Sequence, residues 1–282
     1  MILPGQGVMT QMTGTGLGPG GIDTTTPNVA RIYDYLLGGK DNFAVDRAAA
    51  EQLVAAIPDV AAIARDSRAF LDRAVRYLAA GAGVRQFVDL GSGLPTRSNV
   101  HEVAQRGAPD ARVVYVDNDP VVASHGQALL AFRDRVIMVH ADLRKPASIM
   151  HHPDVLGLLD LTQPVALLCT SSLHFVPDEA GPHQIIAEYR DFLASGSYLA
   201  ITHANAVAAE EDPNGDVGSA TSVYSRASAQ LHARSLPEIR RFFDGFDLID
   251  PGLVWMPGWR SDPGTAPAGR MRSLRAGVGR KP

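Results

Sequence analysis

Apolar residues fall into two regimes along this chain. From Pro27 to Ala80 they recur at helical spacing, and from residue 85 onward short apolar runs alternate with amphipathic stretches. In the first regime a helix can open at Thr26 as N-cap with Pro27 in its first turn. It runs through NVARIYDYLL to a stop at Gly38-Gly39. Two more helices are predicted over Ala44 to Ala56 and Val60 to Ala80, the latter with Ile63, Phe70, Ala74 and Leu78 on one face. The second regime predicts strands at Gln86 to Leu90, Arg112 to Val116, Arg135 to Val139, Pro164 to Cys169 and SYLAITHAN. Helices are expected between them, from the Asp119-Pro120 cap to about Phe132 and from Gly181 to Leu193. A further helix is placed near Thr221 to Ala233, and the capping box Ser235 to Glu238 opens another to Phe243. Phe246 to Ile249 with Leu253 to Met256, and Arg272 to Val278, read as an antiparallel finish. Alternating strands and helices predict an α/β fold with a doubly wound, mainly parallel sheet behind an N-terminal helical cap. The expected organisation is a flexible leader over 1–26, a cap over 27–82, and a sheet domain over 83–282 with a helical insertion near 205–235.

One stretch carries candidate chemistry, FVDLGSGLPTRSNVHEVAQRGAPDARVVYVDNDP. It reads as a strand ending in Asp89, a turn through Gly91, Ser92 and Gly93, a helix, and a second strand ending in Asp117-Asn118. Glycines there let the backbone turn sharply and approach a ligand. Asp117 is placed to bond the two hydroxyls of a ribose. A dinucleotide site usually continues to a third small residue, but here that position is Thr96, and Asp89 would repel a pyrophosphate. Asp89 suits an ammonium group and a sulfonium beside the ribose, the chemistry of S-adenosylmethionine. An unrelated glycine turn is the plain alternative.

Composition narrows the setting. The chain has 282 residues, 45% hydrophobic, with a net charge of -4 and no long basic run, so no nucleic acid is expected as partner. No apolar stretch approaches the roughly 20 residues of a membrane span, and no signal-peptide pattern opens the chain, so a cytoplasmic location is expected. Cys169, the only cysteine, lies in an apolar strand and reads as a buried small hydrophobe. The nine histidines lack zinc-site spacing, and no metal is expected.

In such sheets ligands bind at the carboxyl ends of the strands. Those ends bring together DLGSG, VDNDP, ADLR, TSSLHF and THAN. Asp142 can accept from an adenine amino group with Leu143 against the ring, or can be an ordinary loop carboxylate. Ser171 and Ser172 are expected beside the reactive methyl. His174 is the first candidate general base and His203 the second, although a lone histidine is often structural.

The chain resembles the S-adenosylmethionine-dependent methyltransferase-like family of high-GC bacteria. The resemblance rests on the opening signature PNVARIYDYLLGGKDNFAVDR and on SRAFLDRAVRYLA, FVDLGSGLPTRSNVHEVAQ, ARVVYVDNDPVV, LHFVPDE and FFDGFDLIDPGLVWMPGWR. It implies the seven-stranded Rossmann-like fold of class I methyltransferases and S-adenosylmethionine as cofactor. Ser67 departs from it, since relatives commonly carry asparagine there. Around Gly38-Gly39 the signature is dense in charge and aromatics, and Arg31, Tyr33, Lys40, Asn42 and Phe43 are expected to face cofactor or substrate from a closing cap. A salt-bridged surface turn is the other reading. The expected reaction is in-line methyl transfer to an oxygen or nitrogen of a small molecule. The alternatives are a cofactor-binding protein without transfer and an NAD-dependent oxidoreductase. An acceptor pocket closed by aromatic residues would favour an aromatic substrate.

Overall fold

The computed structural model describes residues 22–95, 98–130, 133–206, 216–261 and 273–282. Three N-terminal helices, α1 (Val29–Leu36), α2 (Ala44–Ala56) and α3 (Val60–Arg76), precede the sheet. Helix α1 begins two residues later than its Thr26-Pro27 signal, because the Asn28 side chain accepts from the amides of Ala30 and Arg31 and takes the cap. The last turn expected in α3 is instead a π-helical turn, Tyr77–Gly81.

The sheet domain runs β1 (Gln86–Leu90), α4 (Val100–Gly107), β2 (Arg112–Asp117), α5 (Pro120–Leu130) and β3 (Val136–His140). It continues with α6 (Pro146–Met150), α7 (Pro153–Leu158), β4 (Ala166–Thr170), α8 (Pro182–Phe192) and β5 (Tyr198–Ala204). After them come α9 (Asp216–Tyr224), α10 (Leu236–Arg241), β6 (Asp247–Leu248), β7 (Val254–Trp255) and β8 (Leu274–Arg280). The strand order is β3-β2-β1-β4-β5-β8-β6, with β7 also on β8, in an eight-stranded sheet. Strands β1 to β5 run parallel to one another, while β8 is antiparallel to β5, β6 and β7. The expected antiparallel finish is therefore present, with its first member split into two short strands, which accounts for eight strands rather than seven. Helices α6 and α7 have no counterpart among the expected elements, and α9 lies earlier than the helix placed near Thr221 to Ala233.

Both sheet faces are covered, so the central strands read as unbroken apolar runs. One face packs Phe87, Val113 and Leu168 against α3 and α4, where Phe70 and Trp259 meet edge to face at 5.3 Å. The other packs Val88, Val114 and Leu167 against Ile149, Ile186 and Tyr189. From β1 the chain winds outward through β2 and β3, then returns to place β4 on the other side of β1. That reversal leaves a crevice at the carboxyl ends of β1 and β4, where α/β sheets bind ligands. Among the described residues no helix is long and apolar enough to cross a membrane.

Candidate functional site

The crevice is a cavity of about 680 Å³ that extends from the strand ends to beneath the cap. Its strand-end wall contains Gly91, Ser92, Gly93, Asp117, Asn118, Asp142, Leu143, Ser171 and Ser172. All nine were expected at a cofactor site, and the fold brings them to one place. Gly91 (φ 72°) and Gly93 (φ 66°) lie in the left-handed region that glycine tolerates. A Cβ on Gly91 would stand 2.6 Å from that of Ser172, so the turn after β1 and the end of β4 approach as closely as glycine allows.

Asp117 is nearly buried, and its two oxygens accept from the amides of Gly93 (2.9 Å) and Asp119 (3.0 Å). Burial pushes its carboxyl above the ordinary range despite those bonds. Asp142 is also desolvated, but its bidentate bonds from Arg144 outweigh that and hold its carboxyl low. Ser171, at φ 55°, donates its amide to Thr202 Oγ1 (2.8 Å), and its hydroxyl lies 2.9 Å from that of Ser67 on α3. Ser67, the departure from the family pattern, thus ties the cap to the end of β4.

Asp89 sits elsewhere than expected. It lines a smaller compartment of about 130 Å³ on the other side of the glycine turn, with His101, Tyr115 and Arg133. Arg68, Ser92 and Gly93 line both spaces. One Asp89 oxygen, Oδ1, and His101 Nε2 are buried without a partner among the described residues. Burial lifts the Asp89 carboxyl to about 7, with the Arg68 charge opposing and Asp117 adding to the rise. A carboxyl held above its unfolded value of about 3.9 binds its proton more tightly folded than unfolded. Stability therefore falls as pH climbs from about 4 to about 7, and is level above. Asp89→Asn is expected to flatten that slope and to stabilise the protein at pH 8 by about 1–3 kcal/mol. Urea midpoints at pH 5 and pH 8 test this, and an unchanged slope would show that Asp89 is ionised in the fold.

The two histidines do not have the form of a base. His174 lines the cavity, and its Nδ1 accepts from the Ala204 amide (3.3 Å), which leaves Nε2 as the protonated nitrogen. Burial, with His203 and Arg234 nearby, keeps it neutral well below its ordinary range. His203 does not reach the cavity. Its Nδ1 bonds the Ala204 carbonyl (2.8 Å), its Nε2 takes the Arg234 guanidinium (2.9 Å), and burial lowers it to about 3. Arg234 also holds the carbonyls of Leu173 and Val176 and pairs with Asp178 at 2.6 Å. Asp178 thus orients the arginine that fixes the turn bearing His174.

The opening signature divides in the same way. Arg31 and Tyr33 line the cavity, whereas Lys40, Asn42 and Phe43 are not among its described lining residues. Lys40 is exposed, and Asn42 donates to Asp34 (2.8 Å), which also accepts from the Asp41 amide. A Cβ on Gly39 would overlap the Asp34 carboxylate, so the glycine pair and the polar cluster form a clasp that closes α1 onto α2. Phe43 lies under the Arg31 guanidinium at 5.0 Å and packs with Leu94, Val121 and Val122. Ile22 and Asp23, assigned to the leader, line the cavity, and Asp23 O accepts from Arg31. Residues 1–21 and Thr96 lie outside the described residues.

Arg68, Phe175 and Tyr224 line the cavity without having been singled out from the sequence. Phe175 stood inside the quoted LHF segment. Tyr224 gave no signal, because only the docking of α9 onto the cap brings it there.

A family model described as S-adenosyl methyltransferase matches residues 17–282. The crystal structure of a candidate methyltransferase from Thermobifida fusca YX is 42% identical, with a TM-score of 0.87 over 93% of this chain and 98% of that one. A DUF574 family protein from Streptomyces avermitilis is 40% identical, with a TM-score of 0.87 over 92% and 99% of the two chains. An O-methyltransferase family protein from Burkholderia thailandensis, 17% identical with a TM-score of 0.50 over 78% of this chain and 59% of its own, shares the fold. No curated protein matches the chain. With the match spanning nearly its whole length, the chain belongs to the S-adenosyl methyltransferase family, whose cofactor is S-adenosylmethionine.

Proposed function

We propose that this enzyme methylates an oxygen or nitrogen of a small molecule held between the strand ends and the helical cap. One observation carries the reading: Asp117, the glycine turn, Asp142 and Ser171 line one wall of a cavity that continues beneath the cap. The residues fit the cofactor. Nothing lies within 4 Å of where a Gly93 Cβ would stand, which leaves the turn open to a ligand. Asp117 would hold the ribose, Asp142 and Leu143 the adenine, and Ser171 and Ser172 the region of the sulfur. The Arg68 guanidinium, which lines the cavity beside the turn, would receive the carboxylate of the methionine head.

Bound there, the cofactor supplies a methyl group activated by a sulfonium. The protein's own contribution is then positioning and exclusion of water, since alignment of the partners at about 3–3.5 Å carries much of such a barrier. His174 serves by donating a hydrogen bond that orients the acceptor, not by removing a proton. Calorimetry is expected to show binding of S-adenosylmethionine and S-adenosylhomocysteine and none of NAD; the reverse would overturn the reading. In turnover, His174→Gln is expected to lower kcat/KM by less than about tenfold, against the 10²- to 10⁴-fold loss that deleting a general base brings. A loss within that larger range, with a pH limb near 6 to 7 abolished, would restore His174 as the base.

A further inference from the structure

Beyond the strand ends the cavity changes character. Its far wall is built from Leu36, Ile57 and Ile63 of the cap, Phe175 and Val176 of the turn after β4, and Tyr224 of α9. Phe175 and Tyr224 meet edge to face, with ring centroids 5.1 Å apart. Several polar groups on this side are already engaged. The Tyr33 hydroxyl donates to the Ala64 carbonyl at 2.9 Å, and the Ser67 and Ser171 hydroxyls pair with each other. Arg31 is held by Asp46 at 2.9 Å, with Asp119 at 3.7 Å. Asp216, also in the lining, has a partner of its own.

We propose that this compartment takes an uncharged, planar aromatic or heteroaromatic acceptor, its nucleophilic oxygen or nitrogen directed toward His174 and Ser171. The inference deepens the methyltransferase reading and rests on it for the role of the strand-end half. An ionic acceptor would lose its hydration and find the nearby charges paired, and a buried unpaired charge is strongly disfavoured. A polyol would leave hydroxyls without partners, at a cost of about 1–3 kcal/mol each. A flat ring instead gains contact area and edge-to-face contact with Phe175 and Tyr224. With both imidazole lone pairs engaged, the nucleophile must offer its own, from a neutral ring nitrogen or from a neutral hydroxyl whose proton passes to water as the methyl arrives. The methyl then moves onto that lone pair and the C–S bonding pair remains on sulfur. A hydroxyl, its proton lost to water, becomes a neutral ether; a ring nitrogen becomes cationic.

The test uses the full chain saturated with S-adenosylhomocysteine and calorimetric titration of four probes, 2-naphthol, quinoline, glucose and glutamate. The two ring probes are expected to bind at least about tenfold more tightly than the other two. Ala220→Trp, which fills the compartment from α9, is expected to weaken the ring probes by about tenfold or more and to leave S-adenosylhomocysteine affinity within about twofold. Tyr224→Leu, should the tryptophan variant fail to fold, is expected to weaken them about three- to tenfold through the lost ring contact. Glucose or glutamate binding as tightly as the rings, or ring binding indifferent to both substitutions, would overturn the inference. Failure of S-adenosylhomocysteine to bind overturns the cofactor reading alone, since the same probes titrated without it still report on the compartment.

Discussion

Arg31→Ala is expected to destabilise the protein by about 3–5 kcal/mol, the scale on which buried charges are left without a partner. Arg31 is 3% exposed, and it holds Asp46, which is fully buried, and the nearly buried Asp119. Its Nη2 also donates to the carbonyls of Asp23 (3.1 Å) and Thr26 (3.2 Å). Asp46 in turn accepts from the amides of Asn28 and Phe43, and Asp119 accepts from those of Val121 and Val122 to cap α5. One guanidinium thus joins the start of α1, the start of α2 and the start of α5, and so joins cap to sheet. Lysine is not expected to rescue it, because a single ammonium cannot reproduce a planar fork that serves two carboxylates and two carbonyls. Urea unfolding at pH 7 measures the loss. A change below about 1 kcal/mol would mean that the two carboxylates are satisfied without Arg31.

Asp117→Ala is expected to weaken S-adenosylhomocysteine binding by about 10²- to 10⁴-fold. Hydrogen bonds to a charged group contribute about 1.5–3 kcal/mol each, and a ribose diol offers two. The same carboxylate holds the Gly93 amide at 2.9 Å, so its removal also loosens the glycine turn. Asp117→Asn keeps one carbonyl acceptor and is expected to lose about 10- to 100-fold. Calorimetry on both variants, each first shown to unfold cooperatively, makes the comparison. Alanine binding within about threefold of the parent would remove Asp117 from the cofactor site.

Much of the strand-end wall is legible in the amino-acid sequence. Asp117, Asp142, Ser171 and Ser172 each close an apolar strand run, and in a doubly wound sheet the ends of such runs converge by topology alone. The carboxylate at Asp89 is legible as a residue but not as a location. It shares a register pair with Tyr115, so its side chain faces α4 and α5 rather than the open crevice. His203 illustrates the same limit. It ends the right strand, yet the bridge between Asn205 and Arg234 brings a distant guanidinium onto its free nitrogen. In the opening signature, the spacing of polar residues could not say which of them point inward. Gly39 against Asp34 decides that, turning Lys40 and Asn42 away from the cavity.

Sequence by itself determined the order of the strands, the strand that carries each candidate carboxylate, and the chemical kind of ligand that two carboxylates around a glycine turn suit. These follow from local rules, since periodicity, caps and turn residues act within a few positions of the chain. Only the tertiary structure decided which histidine nitrogens are occupied, that Arg31 ties cap to sheet, and that Phe175 and Tyr224 meet edge to face in the wall of an apolar compartment. Those facts depend on contacts between residues tens to hundreds of positions apart, as with Arg31 and Asp119 or Ser67 and Ser171. Hydrogen bonds and ion pairs made over such separations are set by how helices dock on the sheet, and no window of sequence contains both partners.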